Sequence, residues 1–94
     1  MITIVAKNIV KPGEAEAFKR TVQPLIAASQ AEAGCIAYNL YEDVTDPNTL
    51  TFIEQWRDEA AIAEHNASAH FTGIVPLLAG YAAAEGEVRL YKLV

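Results

Sequence analysis

The sequence predicts an α+β domain: an antiparallel four-stranded sheet in the order β-α-β-β-α-β, with its helices on one face. Three observations predict it. Strand-like runs occupy residues 2–10, 35–44, 50–57 and 87–94. Between the first two, apolar residues from Ala15 to Ser29 recur at helical spacing. A second helical stretch, opened by Asp58, separates the third run from the fourth.

The first run is rich in β-branched residues. Ile2, Ile4, Ala6 and Asn8 share one side, and Thr3, Val5, Lys7 and Ile9 share the other. Both sides are largely apolar near its start, as in a strand covered on both faces, and Lys11-Pro12-Gly13 ends it. In the helix that follows, Ala15, Phe18, Val22, Leu25, Ile26 and Ser29 form the apolar face, with Glu14, Glu16, Lys19, Arg20 and Gln23 largely opposite. Gly34 is the expected C-cap and Pro24 the expected site of a kink. Strand two places Ile36, Tyr38 and Leu40 on one side and Ala37, Asn39 and Tyr41 on the other. Asp46-Pro47-Asn48 reads as the hairpin turn. Strand three alternates Leu50, Phe52, Glu54 and Trp56 against Thr51, Ile53, Gln55 and Arg57. Asp58 is suited to cap a helix running to about Asn66, with Glu59 at its positive end. Ser68 restarts an irregular segment in which Phe71, Ile74, Val75 and Leu78 share a face.

This order on one domain of 94 residues is the ferredoxin-like split unit. Its helices cover only one side of the sheet, while the other side still carries apolar and aromatic residues. The chain is 52% apolar, more than so small a body readily buries alone. A second copy packed sheet to sheet, giving a homodimer with a dimeric α+β barrel, is the expected cover.

Composition narrows the partners. The net charge is −5 and the pI about 4.8, and the seven Lys and Arg are scattered, so no basic run exists to neutralise phosphates. No nucleic acid and no anionic membrane surface is expected as a partner. The apolar stretches are far shorter than the roughly 20 residues that span a bilayer. A secretion signal is not recognisable at Met1, and the lone Cys35 has no internal disulfide partner, so a reducing, cytoplasmic compartment is expected.

Several site types are missing: a glycine-rich dinucleotide or phosphate loop, and a cysteine pair for zinc or an iron–sulfur cluster. His65 and His70 lie five residues apart, which on one continuous helix sets them about 140° apart around the axis. A shared metal is therefore not expected. His65 shares a helix face with Ala61 and Ile62 and is the best candidate for a base, since imidazole titrates near neutrality. The competing reading is a histidine that packs or caps a helix end. His70 is either a second wall residue of a binding cavity or a structural partner for a helix N-terminus or carboxylate. Trp56 offers a stacking face and one N–H donor, or is simply core. Asn8 is a polar amide in a β-branched run, able to orient a substrate oxygen or to end the apolar part of the strand. Glu54 reads as a salt-bridge partner of Lys7 or Arg57, or else as a buried acid. Phe52, Phe71 and Tyr38 are candidate lining residues; Tyr41, Tyr81 and Tyr91 suit a cavity or an interface equally. Cys35, with no histidine nearby in sequence, reads as inert.

These residues together resemble the antibiotic biosynthesis monooxygenase (ABM) family. The matching pieces are Met1-Ile2-Thr3-Ile4-Val5-Ala6, Val10-Lys11-Pro12-Gly13, Ala33-Gly34-Cys35, Tyr38-Asn39-Leu40-Tyr41, Asp46-Pro47-Asn48, Glu54-Gln55-Trp56, and His65 with Ser68-Ala69-His70-Phe71. Each is short; their order and spacing make the match. The resemblance implies a ferredoxin-like dimer with a cavity between sheet and helices, and a monooxygenase that oxidises a quinol or polyphenolic aromatic with dioxygen and no cofactor. It maps His65, Trp56 and Asn8 onto the family's helix histidine, strand tryptophan and first-strand amide. A heme-degrading branch of the superfamily uses a similar Asn, Trp and His trio with the histidine on iron, so heme breakdown is the alternative reading, beside a non-catalytic dimeric module that binds small molecules.

Overall fold

A computed structural model describes residues 1–94. Four strands, β1 (Ile2–Ile9), β2 (Cys35–Asp43), β3 (Asp46–Trp56) and β4 (Glu87–Lys92), form one sheet in the order β2-β3-β1-β4, every pair antiparallel. Three helices, α1 (Ala15–Gln30), α2 (Glu59–Ala67) and α3 (Ala69–Ile74), and a 3₁₀ segment over Val75–Tyr81 complete the expected ferredoxin-like α+β fold.

Register decides which side chains meet the helices. Ile4 sits opposite Glu54 and Leu90, and Ala6 opposite Phe52 and Val88, so these six residues share the helix side of the sheet. Trp56 and Tyr38 join them through the pairs Ile2 with Trp56 and Tyr38 with Glu54. Against this face α1 buries Phe18, Val22, Leu25 and Ser29, the predicted apolar positions. Phe18 meets Phe52 at 6.4 Å between ring centroids, and Tyr38 meets Phe52 at 5.4 Å, so strand and helix aromatics interlock at the centre of the core.

Four local expectations shift. The hairpin tip is Val44–Thr45, where the Asp43 carboxylate accepts hydrogen bonds from the Thr45 N–H and hydroxyl, both at 2.8 Å. Asp46-Pro47-Asn48 instead begins β3 as an irregularity, between the pairs Asp43 with Asp46 and Glu42 with Leu50. Asp46 accepts local hydrogen bonds of the same kind, from the Asn48 N–H and the Thr49 hydroxyl, both at 2.9 Å, and these shape that irregularity. In β2 a second register shift, between Cys35 and Ala37, throws Ile36 out of alternation and leaves it exposed. Helix α1 stops at Gln30, capped by Ala31, and so does not reach Gly34. Gly34 serves packing: a Cβ there would collide with the buried Ala61 of α2. Pro24 lies on the exposed side of α1, which continues through it without interruption.

Asp58 caps α2 as expected, accepting from the Ala61 N–H at 2.9 Å. No helix is long and apolar enough to cross a membrane.

Candidate functional site

A cavity of about 310 Å³ lies between the helix side of the sheet and the α2–α3–3₁₀ layer. Its floor comes from Ile4, Ala6, Asn8, Phe52, Glu54 and Tyr38, and its roof from Ile62, His65, Asn66, Phe71, Val75 and Leu78. Val88 and Leu90 of β4 form the rim, 67% and 56% exposed, because the helices stop short of that edge strand. The lining is mostly apolar, with a few convergent polar groups, as in pockets that hold small organic molecules.

His65 is the most constrained of those groups. It projects from the inner face of α2 beside Ala61, and both are buried. The Trp56 ring packs against it, tilted by 38°, at 4.4 Å between centroids and Phe71 meets it edge-on at 5.1 Å. Its Nδ1 lies 2.7 Å from Oε2 of Glu32, while its Nε2 is buried with no hydrogen-bond partner. Burial holds the imidazole below its usual pKa of 6.5, with the Glu32 hydrogen bond opposing that shift. The ring is therefore neutral near pH 7. The Glu32 carboxylate, an acceptor, fixes the ring proton on Nδ1 and leaves a lone pair on Nε2.

His70 donates or shares a proton from Nε2 with the same Glu32 oxygen, at 2.9 Å, and does not line the cavity. Of its two sequence readings, partner to a carboxylate is the one the geometry meets. The premise that separated the two histidines does not hold. They do not share a continuous helix: Ser68 interrupts it, donating its hydroxyl proton to the His65 carbonyl at 2.6 Å and accepting from the Phe71 N–H at 3.2 Å. The turn brings both imidazoles to one carboxylate, and Glu32, His65 and His70 offer three ligand atoms within 4.8 Å of one another.

Trp56 is fully buried behind His65 and is not a wall of the cavity; its indole N–H donates to Oε1 of Glu54 at 2.9 Å. Glu54 corrects the expectation of a salt bridge with Lys7 or Arg57. Alternation puts both cations on the opposite face of the sheet, where Arg57 pairs with Asp58 at 3.2 Å. Glu54 instead lines the cavity, 5% exposed, with its carboxyl pushed up to about 7 by burial; the Trp56 N–H pulls the other way, and Glu32 adds a smaller push.

Asn8, Phe52, Phe71 and Tyr38 all line the cavity. The Asn8 amide donates to the Ala6 carbonyl at 3.3 Å, and burial raises the Tyr38 hydroxyl well above its usual pKa. Tyr41 and Tyr91 are exposed, whereas the Tyr81 hydroxyl is 2.8 Å from Thr21 Oγ1 against α1. Burial also raises the Cys35 thiol, which keeps it protonated and weakly nucleophilic. Glu32 escaped the sequence reading because its partners stand 33 and 38 residues away and no periodicity marks it.

A family model described as antibiotic biosynthesis monooxygenase matches residues 1–77. The chain belongs to that family. It is 44% identical over 75 residues to "Putative monooxygenase YcnE" of Bacillus subtilis (strain 168), covering 80% of this chain and 79% of that one. A conserved protein from Methanosarcina mazei Go1 superposes with a TM-score of 0.94 at 38% identity, covering 97% of this chain and 90% of that one. A solved antibiotic biosynthesis monooxygenase superposes equally well, TM-score 0.94 at 34% identity, over 100% and 99% of the two chains. The family match contains Asn8, Glu32, Glu54, Trp56, His65 and His70; the cavity rim on β4 lies beyond it.

Proposed function

We propose that this ABM-family chain is a cofactor-independent monooxygenase that oxidises a quinol or polyphenolic aromatic with dioxygen. The observation that carries the reading is His65: neutral, buried, clamped at Nδ1 by Glu32 and unpartnered at Nε2, in the wall of an apolar cavity. Such an imidazole accepts the proton of a phenolic hydroxyl without first losing a hydration shell. A cavity of about 310 Å³ suits a guest of one or two fused rings.

In this reading the phenol O–H bond breaks and its proton passes to Nε2 of His65. The electron-rich phenolate gives one electron to dioxygen, and the caged radical pair forms a C–O bond at an unsubstituted ring carbon para or ortho to the oxygen. The peroxide anion takes the proton back from His65. The hydroperoxide then loses water as its O–O bond breaks, leaving a quinone. The protein supplies deprotonation, orientation by the walls of Phe52, Phe71 and Tyr38, and exclusion of water. Asn8 lies at the cavity floor, in reach of an oxygen on the guest. Trp56 acts from behind, packing the His65 ring and holding Glu54. We also place the chain in a homodimer whose second copy covers the outer face of the sheet.

Oxygen uptake across a panel of single-ring hydroquinones and naphthoquinols tests the proposal. Uptake is expected with at least one member, together with a loss of about 10²- to 10⁴-fold in kcat/KM for His65→Ala, the usual worth of a positioned base. An inert panel, or a His65→Ala variant as fast as the parent, sinks it.

A further inference from the structure

We propose that Glu32, His65 and His70 form a binding site for a divalent transition ion of the zinc class, and that its occupation turns Nε2 of His65 from a proton acceptor into a donor. The three side chains come from three places in the chain: the loop after α1, the inner face of α2, and the first turn of α3. Oε2 of Glu32 stands 2.7 Å from His65 Nδ1 and 2.9 Å from His70 Nε2. All three ligand atoms lie within 4.8 Å of one another.

Two imidazole nitrogens and one carboxylate oxygen are a donor set that zinc takes, with bonds of about 2.0–2.2 Å. Calcium and magnesium favour shells of oxygen, so the nitrogen pair selects against them. Tetrahedral bonds of that length hold donors about 3.3 Å apart. The two existing contacts therefore have to open by roughly half an ångström each, and the two ring nitrogens, within 4.8 Å of one another, have to settle at the same spacing, within the reach of side-chain torsions. The exposure pattern fits an ion that arrives from solvent. Glu32 and His70 keep 18% and 21% of their side-chain surface, while His65 keeps 2%. Two ligands can admit the ion and leave a fourth position to water, and the third is anchored by Trp56 and Phe71.

Occupation changes what the cavity meets. With Glu32 alone at Nδ1, the ring proton sits there and Nε2 carries the lone pair. An ion bound at Nδ1 needs the lone pair of that nitrogen, so Nδ1 gives up its proton and the single proton of the neutral ring sits on Nε2. The group facing the guest then gives a hydrogen bond and accepts no proton. Binding itself does not depend on the proposed reaction; the consequence for turnover rests on His65 being the base.

The test titrates the tag-free full chain with zinc chloride by calorimetry, and in parallel follows the His65 ring nitrogens by ¹⁵N NMR. One saturable site per chain is expected, with the His65 ring proton moving from Nδ1 to Nε2 as it fills. His70→Ala and Glu32→Gln should each weaken binding by at least about tenfold, since even outer-shell changes at metal sites cost about 10- to 100-fold. Far-ultraviolet circular dichroism checks that both variants fold. Absence of saturable binding in the parent protein, or equal affinity in both folded variants, overturns the site. Zinc bound there with the ring proton still on Nδ1 overturns the switch. Neither readout needs turnover, so failure here is separable from failure of the oxygenase reading.

Discussion

Glu32 decides which nitrogen of His65 carries the ring proton. Its carboxylate accepts a hydrogen bond from Nδ1–H at 2.7 Å, and without that acceptor the neutral ring is free to sit in either tautomer. Glu32→Ala is therefore expected to lower kcat more than it raises KM, because it removes orientation of the base and no contact with the guest. Steady-state oxygen uptake against substrate concentration checks this; a pure KM effect would place Glu32 in binding. Glu54 carries a different signature. Its carboxyl ordinarily titrates at 4.5 and here is pushed up to about 7 by burial, so between those values the folded chain holds a proton that the unfolded chain releases. Stability must then fall as pH rises across that window, by up to about 3 kcal/mol from this group. Glu54→Gln keeps an oxygen for the Trp56 N–H and removes the titration. Urea unfolding at several pH values should show the parent losing stability from pH 4.5 towards 7 more steeply than the variant. Parallel slopes for the two proteins would contradict the burial account.

At the scale of elements, the site depends on two close fits. The loop before β2 passes so near α2 that Gly34 has no room for a side chain beside Ala61. Gly34→Ala is expected to destabilise by about 1–3 kcal/mol through overpacking. Adding Ala61→Gly should recover part of that loss by opening the space, although glycine inside a helix costs up to about 1 kcal/mol itself. Chemical denaturation of the two single variants and the double variant supplies the coupling; strict additivity would show that the two residues do not meet. The second fit is the Ser68 break between α2 and α3, which turns His70 back toward Glu32. The same elements show what the sequence makes legible. Alternation in β1 and over Leu50–Trp56, the amphipathic face of α1, the Asp58 cap and the Ser68 restart are local patterns, and each appears where periodicity or side-chain chemistry puts it. The hairpin tip is not legible because Asp43 and Asp46 each accept local hydrogen bonds of the same kind, and no local pattern ranks one turn above the other. Ile36 left its face because a one-residue register shift has no signature in an apolar run. The position of Trp56 behind His65, the isolation of Glu54 from cations, and the meeting of both histidines on Glu32 are long-range outcomes. They follow from register and from the docking of α2 on the sheet, which no local window contains.

For the whole molecule, the uncovered sheet is the largest unsatisfied feature. The outer face pairs Val5 with Ile53 at its centre and carries Tyr91 opposite Thr3, with Ile53 37% and Tyr91 52% exposed. Every residue of β4 is exposed, including Val88 and Leu90 at the cavity rim. One uncovered face thus lies against solvent on one side of the sheet, while the edge strand beside it leaves the cavity open on the other. A second copy seated on the outer face buries the Val5–Ile53 centre, and a neighbouring chain passing along β4 also covers the rim. Stable pairs of this kind bury about 800 Å² per partner, an area that a four-stranded sheet can provide. Ile53→Glu places a charge at the middle of that contact, where it would be stripped of water without a partner, a cost of several kcal/mol. Sedimentation equilibrium should find the parent as a dimer and Ile53→Glu as a folded monomer, because the substituted side chain points away from the core. Oxygen uptake should fall with the dimer, since an open rim admits water to the base. A parent protein that sediments as a monomer at assay concentration, or a monomeric variant with full turnover, would show that each subunit completes its own cavity.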